Sequence, residues 1–225
     1  MPKLNISLAQ MAVSTNVRRN IEIMEEMAAE AAHRGSQLLL LPELWASGYT
    51  GRLEDVASPL NGGVFAQVST AAKQHKLCIT GSLPEKRGVS LNNSAAFFAP
   101  NGQVRGIYRK IHLFDVDLVE NGESYRESHS MYPGDDPLTV DTPAGRIGLT
   151  ICYDVRFPEL FRSMSVAGLE AVALPAAFTV PTGRAHWELL VRARAVDNLS
   201  CMLAAAQWGQ HPGGRRTWGD SMIVN

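Results

Sequence analysis

Three cysteines, Cys78, Cys152 and Cys201, are all that the 225 residues hold, and no two stand as C-x-x-C. An odd and scattered set excludes a disulfide framework and offers no zinc-ligand spacing, so a reducing cytoplasm is the expected setting. Net charge is lacking too: 21 basic side chains face 22 acidic ones. That balance leaves no electrostatic footprint for nucleic acid or for an anionic membrane surface. No apolar run approaches membrane-spanning length, and Leu38 to Leu41 is a core strand at most. Met1-Pro-Lys-Leu-Asn lacks the basic-then-apolar layout of a signal peptide. What remains, 45% hydrophobic and 19% charged, reads as one soluble α/β domain over residues 1–225. It is large enough to bury its core without staples.

Taken in order, the chain alternates strand and helix patterns. Lys3 to Val13 reads as a strand. Asn16 caps a helix to about His33, with Ile21, Met24, Met27, Ala28 and Ala31 at helical spacing and Gly35 as its stop. Gln37 to Glu43 is continuously apolar up to Pro42, as in a strand buried on both faces. Gly62 to Lys76 reads as a helix and Leu77 to Ser82 as a strand, which gives a layered α/β pattern. Asn101-Gly102 joins Ser94–Phe98 to Gln103–Arg109 as a hairpin. The polar stretch from Asp115 to Pro137 reads as a long functional loop. Thr142 to Gly145 turns Leu138–Val140 into Arg146–Cys152, and a helix to about Ala167 follows. Glu170–Pro175 is a strand, Arg184–Asn198 a helix, Cys201–Gln207 a strand, and Ser221–Val224 begins another. The passage Ala32 to Pro42 echoes Val166 to Pro175, as expected of two related β-α-β halves.

Three polar residues stand at strand ends where apolar ones would be easier: Glu43, Lys110 and Cys152. Each has an ordinary reading by itself. Cys152 could be a core thiol, Glu43 a helix-start carboxylate, and Lys110 a lysine snorkelling at a sheet edge. Together they make a reaction centre. A thiol needs a base to become a nucleophile, and Glu43 can take its proton. Lys110 can hold an oxyanion, with the backbone N–H of Tyr153 as second donor, because Pro158 and Glu159 mark a helix start just beyond.

Leu41-Pro42-Glu43-Leu44, Tyr108-Arg109-Lys110-Ile111-His112 and Ile151-Cys152-Tyr153-Asp154-Val155-Arg156-Phe157-Pro158-Glu159 resemble, in that order, the signature blocks of the nitrilase superfamily. These are the carbon–nitrogen hydrolases with a Glu–Lys–Cys triad, and the likeness spans nearly the whole chain. It implies a four-layer α-β-β-α sandwich built from two halves, with no metal or other cofactor. It also implies a second glutamate between the lysine and cysteine blocks. That position matches Glu127, which should bind Lys110 and position substrate or water. Glu120 and Glu123 nearby read better as solvated loop charges.

Tyr153 stands where nitrilases proper carry tryptophan, which favours an amidase. Residues 175–195 resemble the branch holding omega-amidases and deaminated-glutathione amidases, and residues 204–222 lean towards the latter. By that resemblance the substrate is a small carboxylated compound with a primary amide, which loses ammonia through a thioester. An arginine should then grip the carboxylate: Arg156, Arg184 and Arg216 are candidates, and Tyr49 and Thr179 join Arg156 and Arg184 as expected substrate contacts. Trp187 and Arg194 read as helix packing and His186 as a satisfied core histidine. The chain departs from the family by stopping at Asn225 inside a strand. The sandwich is therefore expected to lack its C-terminal strands; a homodimer or higher homo-oligomer is the expected assembly.

Competing readings are a Cys–His enzyme using His112 or His186, a serine hydrolase using Ser221, and an inactive scaffold of the same fold. The serine reading lacks a G-x-S-x-G elbow.

Overall fold

A computed structural model describes residues 4–49, 53–118, 122–142, 145–166 and 168–225. The first half runs β1 (Ile6–Leu8), α1 (Val17–His33), β2 (Leu38–Leu40), α2 (Leu53–Val56), α3 (Gly63–His75), β3 (Cys78–Thr80), β4 (Ser82–Arg87), β5 (Ser90–Phe98) and β6 (Val104–Arg109). A small hairpin follows, β7 (Asp115–Leu118) with β8 (Glu123–Arg126). The second half runs β9 (Leu138–Thr142), β10 (Gly145–Leu149), α4 (Pro158–Ser165), β11 (Ala171–Ala176), α5 (Val180–Asn198), β12 (Cys201–Ala206), β13 (Trp208–Gln210), β14 (Arg216–Trp218) and β15 (Met222–Val224).

Two sheets result. The first has the order β1-β2-β3-β5-β4, with β6 pairing β5; the second has the order β15-β12-β11-β10-β9. Parallel pairs occupy the helix-connected parts, β1-β2-β3 and β10-β11-β12, and antiparallel pairs finish each sheet.

The run Leu38-Leu39-Leu40-Leu41 shows how the layers form. Side chains alternate across a strand. Leu38 and Leu40 enter the cluster between the sheets, with Phe97, Ile147, Leu149, Ala173 and Leu203. Leu39 and Leu41 enter the outer cluster with Met24 and Ala28 of α1 and Phe65 and Val68 of α3. On the far side, Phe161 of α4 and Trp187 and Val191 of α5 cover the second sheet. The molecule is a four-layer α-β-β-α sandwich.

Several local expectations change. The first strand is shorter than Lys3–Val13, and Lys3 lies outside the described residues. The last helix begins at Val180, a full turn before Arg184, because Pro181 fits a first turn. The polar loop contains the β7–β8 hairpin, whose charged strands escape an apolar-periodicity search. Pro143 and Ala144 of the second turn, and Ala167 at the expected helix end, lie outside the described residues. Asn16 does cap α1, its side chain accepting from Arg19 N–H at 3.1 Å. Among the described residues no helix is long and apolar enough to cross a membrane.

Candidate active site

Glu43, Lys110 and Cys152 each follow a strand, and the packed sheets bring the three together. Glu43 comes two residues after the Leu41 N–H that donates to Thr80 O at 2.8 Å. Leu44 then turns at φ +44°, its N–H donating to Ser82 Oγ at 2.9 Å, while Gln207 Nε2 donates to the Glu43 carbonyl at 2.6 Å. Lys110 is pinned by its own N–H, which donates to Asn93 O at 2.9 Å. Cys152 sits at φ +49°, a left-handed conformation uncommon without glycine, at the start of a 3₁₀ turn over Cys152–Arg156. The turn is held by Asp154, whose carboxylate accepts from Ile151 N–H and Tyr108 OH at 2.8 Å each and from His112 N–H at 3.1 Å.

The ammonium of Lys110 lies between two carboxylates, 2.8 Å from Glu43 Oε1 and 2.8 Å from Glu127 Oε2. Asn93 Nδ2 bridges the same pair at 2.9 and 3.0 Å. Tyr49 OH donates to Glu43 Oε1 at 2.5 Å, and Phe114 N–H donates to Glu127 Oε2 at 2.8 Å. All of these polar groups are buried or nearly so, which is tolerable only because each charge has a partner. Burial alone would lower the Lys110 pKa, but the charges of Glu127 and Glu43 more than reverse it and keep the amine protonated. Burial pushes the Cys152 thiol well up, and the Glu43 charge adds to this; Lys110 and a hydrogen bond from the Ala177 backbone N–H oppose it. The balance holds the Cys152 side chain towards the thiol form.

Glu43 and Cys152 line a narrow pocket with Tyr49, Phe114, Tyr153, Arg156, Ala177, Phe178, Thr179, Thr182 and Arg215. Of the expected substrate contacts, Tyr49, Arg156 and Thr179 are at this pocket. Arg156 lies over the rings of Tyr153 and Phe178, 5.7 and 5.4 Å from their centroids, and meets His186 Nδ1 at 3.3 Å. Burial lowers its pKa. Thr179 bonds Thr182, hydroxyl to hydroxyl, at 2.8 Å. Arg184 and Arg216 are exposed and do not line it. Glu123 is exposed and takes Tyr125 OH at 3.0 Å; Glu120 lies outside the described residues.

The other candidates have structural partners, and His186 is exposed beside Arg156, not a core histidine, because its position on α5 faces away from the sheet. His112 is 2.8 Å from Asp154 through Nδ1 and stacks on Phe157 at 3.6 Å. Ser221 Oγ accepts Ala206 N–H at 3.0 Å. Trp187 Nε1 donates to Asp220 O at 2.7 Å, and Arg194 Nε to Val155 O at 2.9 Å beside the cysteine turn.

Asn93, Asp154, Ala177 and Arg215 were not anticipated in these roles. A signal existed for the first: Asn92-Asn93 interrupts the apolar strand Ser90–Phe98, and a buried amide needs partners. Ala177 and Arg215 announce nothing locally, since each acts on residues distant in sequence, and Asp154 joins its own turn at Ile151 to the distant Tyr108 and His112.

A family model described as carbon-nitrogen hydrolase matches residues 5–225. The deaminated glutathione amidase of Yersinia enterocolitica is 40% identical over 233 aligned residues, covering all of this chain and 80% of that protein. The chloroplastic omega-amidase of Arabidopsis thaliana is 38% identical over 231 residues, again across all of this chain, which spans 62% of the relative's length. Among solved structures, the NitFhit protein of C. elegans superposes with a TM-score of 0.89 at 30% identity, covering 99% of this chain and 57% of that one.

Proposed function

The chain belongs to the carbon–nitrogen hydrolase family and is a hydrolase acting on amides, and we propose that Cys152 is its nucleophile, with Glu43 as general base and Lys110 as oxyanion holder. The observation that carries this reading is the placement of Lys110 Nζ at 2.8 Å from both Glu43 and Glu127, beside a buried thiol. Glu43 Oε1 receives Lys110, Asn93 and Tyr49, whereas Oε2 has no hydrogen-bond partner among the described residues. Oε2 is the oxygen free to take a proton.

The reaction then runs as follows. Because the side chain is held towards the thiol form, Sγ attacks the amide carbon as its proton passes to Glu43. The carbonyl oxygen becomes an oxyanion held by the Lys110 ammonium and the Tyr153 N–H. Glu43 returns the proton to the departing nitrogen, and the amine leaves, as ammonia when the amide is primary. A thioester on Cys152 remains. Glu43 next removes a proton from water, which attacks the thioester; the acid departs and the thiol is restored. Glu127 holds Lys110 in place throughout and carries the balancing charge.

For the substrate, the reading is a small carboxylated amide of the deaminated-glutathione type, with alpha-keto dicarboxylate monoamides as the alternative. The two relatives support both almost equally, at 40% and 38% identity. Intact-protein mass spectrometry with both substrate types, alongside amine release, tests the proposal. A transient acyl adduct is expected on the native chain and none on Cys152→Ala. Folded protein that shows neither adduct nor released amine with any amide tried would favour the inactive scaffold.

A further inference from the structure

We propose that Arg215 is the receptor for a carboxylate carried by the substrate, set where the Cys152 pocket opens into a larger outer chamber. The claim deepens the amide-hydrolase reading and rests on it for the identity of the ligand. Arg215 lines the inner pocket with Cys152 and also lines a wider chamber open to solvent and walled by Tyr49, Phe114, Tyr125 and Glu127.

Its guanidinium is held in place by flat rings. It sits 4.3 Å from the Tyr49 centroid and 5.3 Å from that of Tyr125, and Nη2 donates to Ala177 O at 3.2 Å. No carboxylate lies within ion-pairing distance of it among the described residues, and its buried Nε has no acceptor. The other arginine of the chamber, Arg126, is already engaged by both oxygens of Asp117 at 2.8 Å. Arg215 is half-buried, and a guanidinium partly withdrawn from water without a counter-charge costs free energy that an incoming anion recovers. Its planar fork suits a carboxylate. A single negative charge fits better than a dianion, because Glu43 and Glu127 stand nearby.

The loop that presents Arg215 is anchored. His211 is buried and reaches Val13 O at 2.9 Å through Nδ1 and Thr217 Oγ1 at 2.6 Å through Nε2. Thr217 bridges to Thr179 at the pocket wall. Gly213 and Gly214, at φ +82° and +85°, make the turn between. Such a site is organised before the ligand arrives, so little ordering entropy is lost on binding. Arg156, by contrast, has the His186 ring as a partner and rests over Tyr153 and Phe178, away from the outer chamber.

The test compares glutaramate with valeramide, an uncharged amide of equal length, on the native chain, Arg215→Gln and Arg215→Lys. Arg215→Gln should raise KM for glutaramate by at least about tenfold more than it raises KM for valeramide, with a smaller change in kcat. Arg215→Lys should recover only part of the loss, since the charge remains without the fork. Equal losses on both substrates would make Arg215 a structural support for Tyr49 and Ala177, and an unchanged KM would equally overturn the proposal. Calorimetric titration of valerate, a monocarboxylate of the same length, separates the two claims. Binding to the native chain but not to Arg215→Gln upholds the subsite even if no amide is hydrolysed; equal binding to both, or to neither, overturns it.

Discussion

Tyr108, on the first sheet, donates its hydroxyl at 2.8 Å to Asp154, in the turn that follows β10 of the second sheet. Tyr108 lies on β6 two residues before Lys110; Asp154 lies in the turn two residues after Cys152. The same carboxylate takes the Ile151 N–H that fixes the entrance to the strained Cys152 position. One buried acid thus couples the placement of the ammonium to the placement of the thiol.

Tyr108→Phe removes one donor and leaves Asp154 its other partners. It should lower stability by about 1 kcal/mol and reduce kcat more than it changes KM. Asp154→Ala strands Ile151 N–H, the tyrosine hydroxyl and His112 together, and should cost roughly 3 kcal/mol or more. Urea unfolding and steady-state kinetics on both variants measure the difference; an equal effect from the two would remove Asp154 as the coupling group.

Glu43→Gln keeps the shape of the side chain but deletes the base. With the side chain held towards the thiol form, attack should slow by about 10²–10⁴-fold, read from the rate of acyl adduct formation. Modification of Cys152 by iodoacetamide should slow as well. A variant that acylates at the native rate would show that the thiol ionises by another route.

Asn93 donates to both glutamates through one nitrogen, so its two simplest replacements should differ sharply. Asn93→Ala removes a shared donor and should cost about 1–3 kcal/mol. Asn93→Asp places a third carboxylate against Glu43 and Glu127 with Lys110 as their common cation, and should cost more, roughly 3–5 kcal/mol at neutral pH. Acidification should recover part of the second loss only. Indistinguishable thermal stabilities would sink this account.

Alkaline pH should destabilise the protein. Burial raises the pKa of Cys152, of Tyr49 and of Tyr108, and the carboxylates around Lys110 raise its pKa despite burial. The ordinary values of these groups are 9.0 for the thiol, 10.0 for the phenols and 10.5 for the amine. Below about pH 9 both folded and unfolded chains hold all these protons, and the stability they contribute is fully present. Above it the unfolded chain releases protons that the folded one keeps. Each such group then removes about 1.4 kcal/mol per pH unit until its folded pKa is reached. Tm measured from about pH 8 to about pH 11 should fall steadily, with a shallower slope for Tyr108→Phe; a flat profile would contradict the sign.

What the sequence determined by itself was whatever repeats locally or stands out chemically. The uninterrupted Leu38–Leu41 announced a strand covered on both faces, Asn101-Gly102 a hairpin, and Pro158 a helix start. Three reactive residue types at strand ends announced the site, since such positions are costly without a purpose. The β7–β8 hairpin stayed hidden because its strands are charged and carry no apolar period. Choosing among the arginines needed the folded chain. Arg184 and Arg216 look as suitable on paper as Arg156, yet helix phase and strand register turn them to solvent. Arg215 reaches the pocket because His211 ties its loop to Val13, almost two hundred residues earlier in the chain. The roles of Asn93 and Asp154 were likewise decided by tertiary packing, because a hydrogen bond between residues far apart in the chain depends on where their elements end in space.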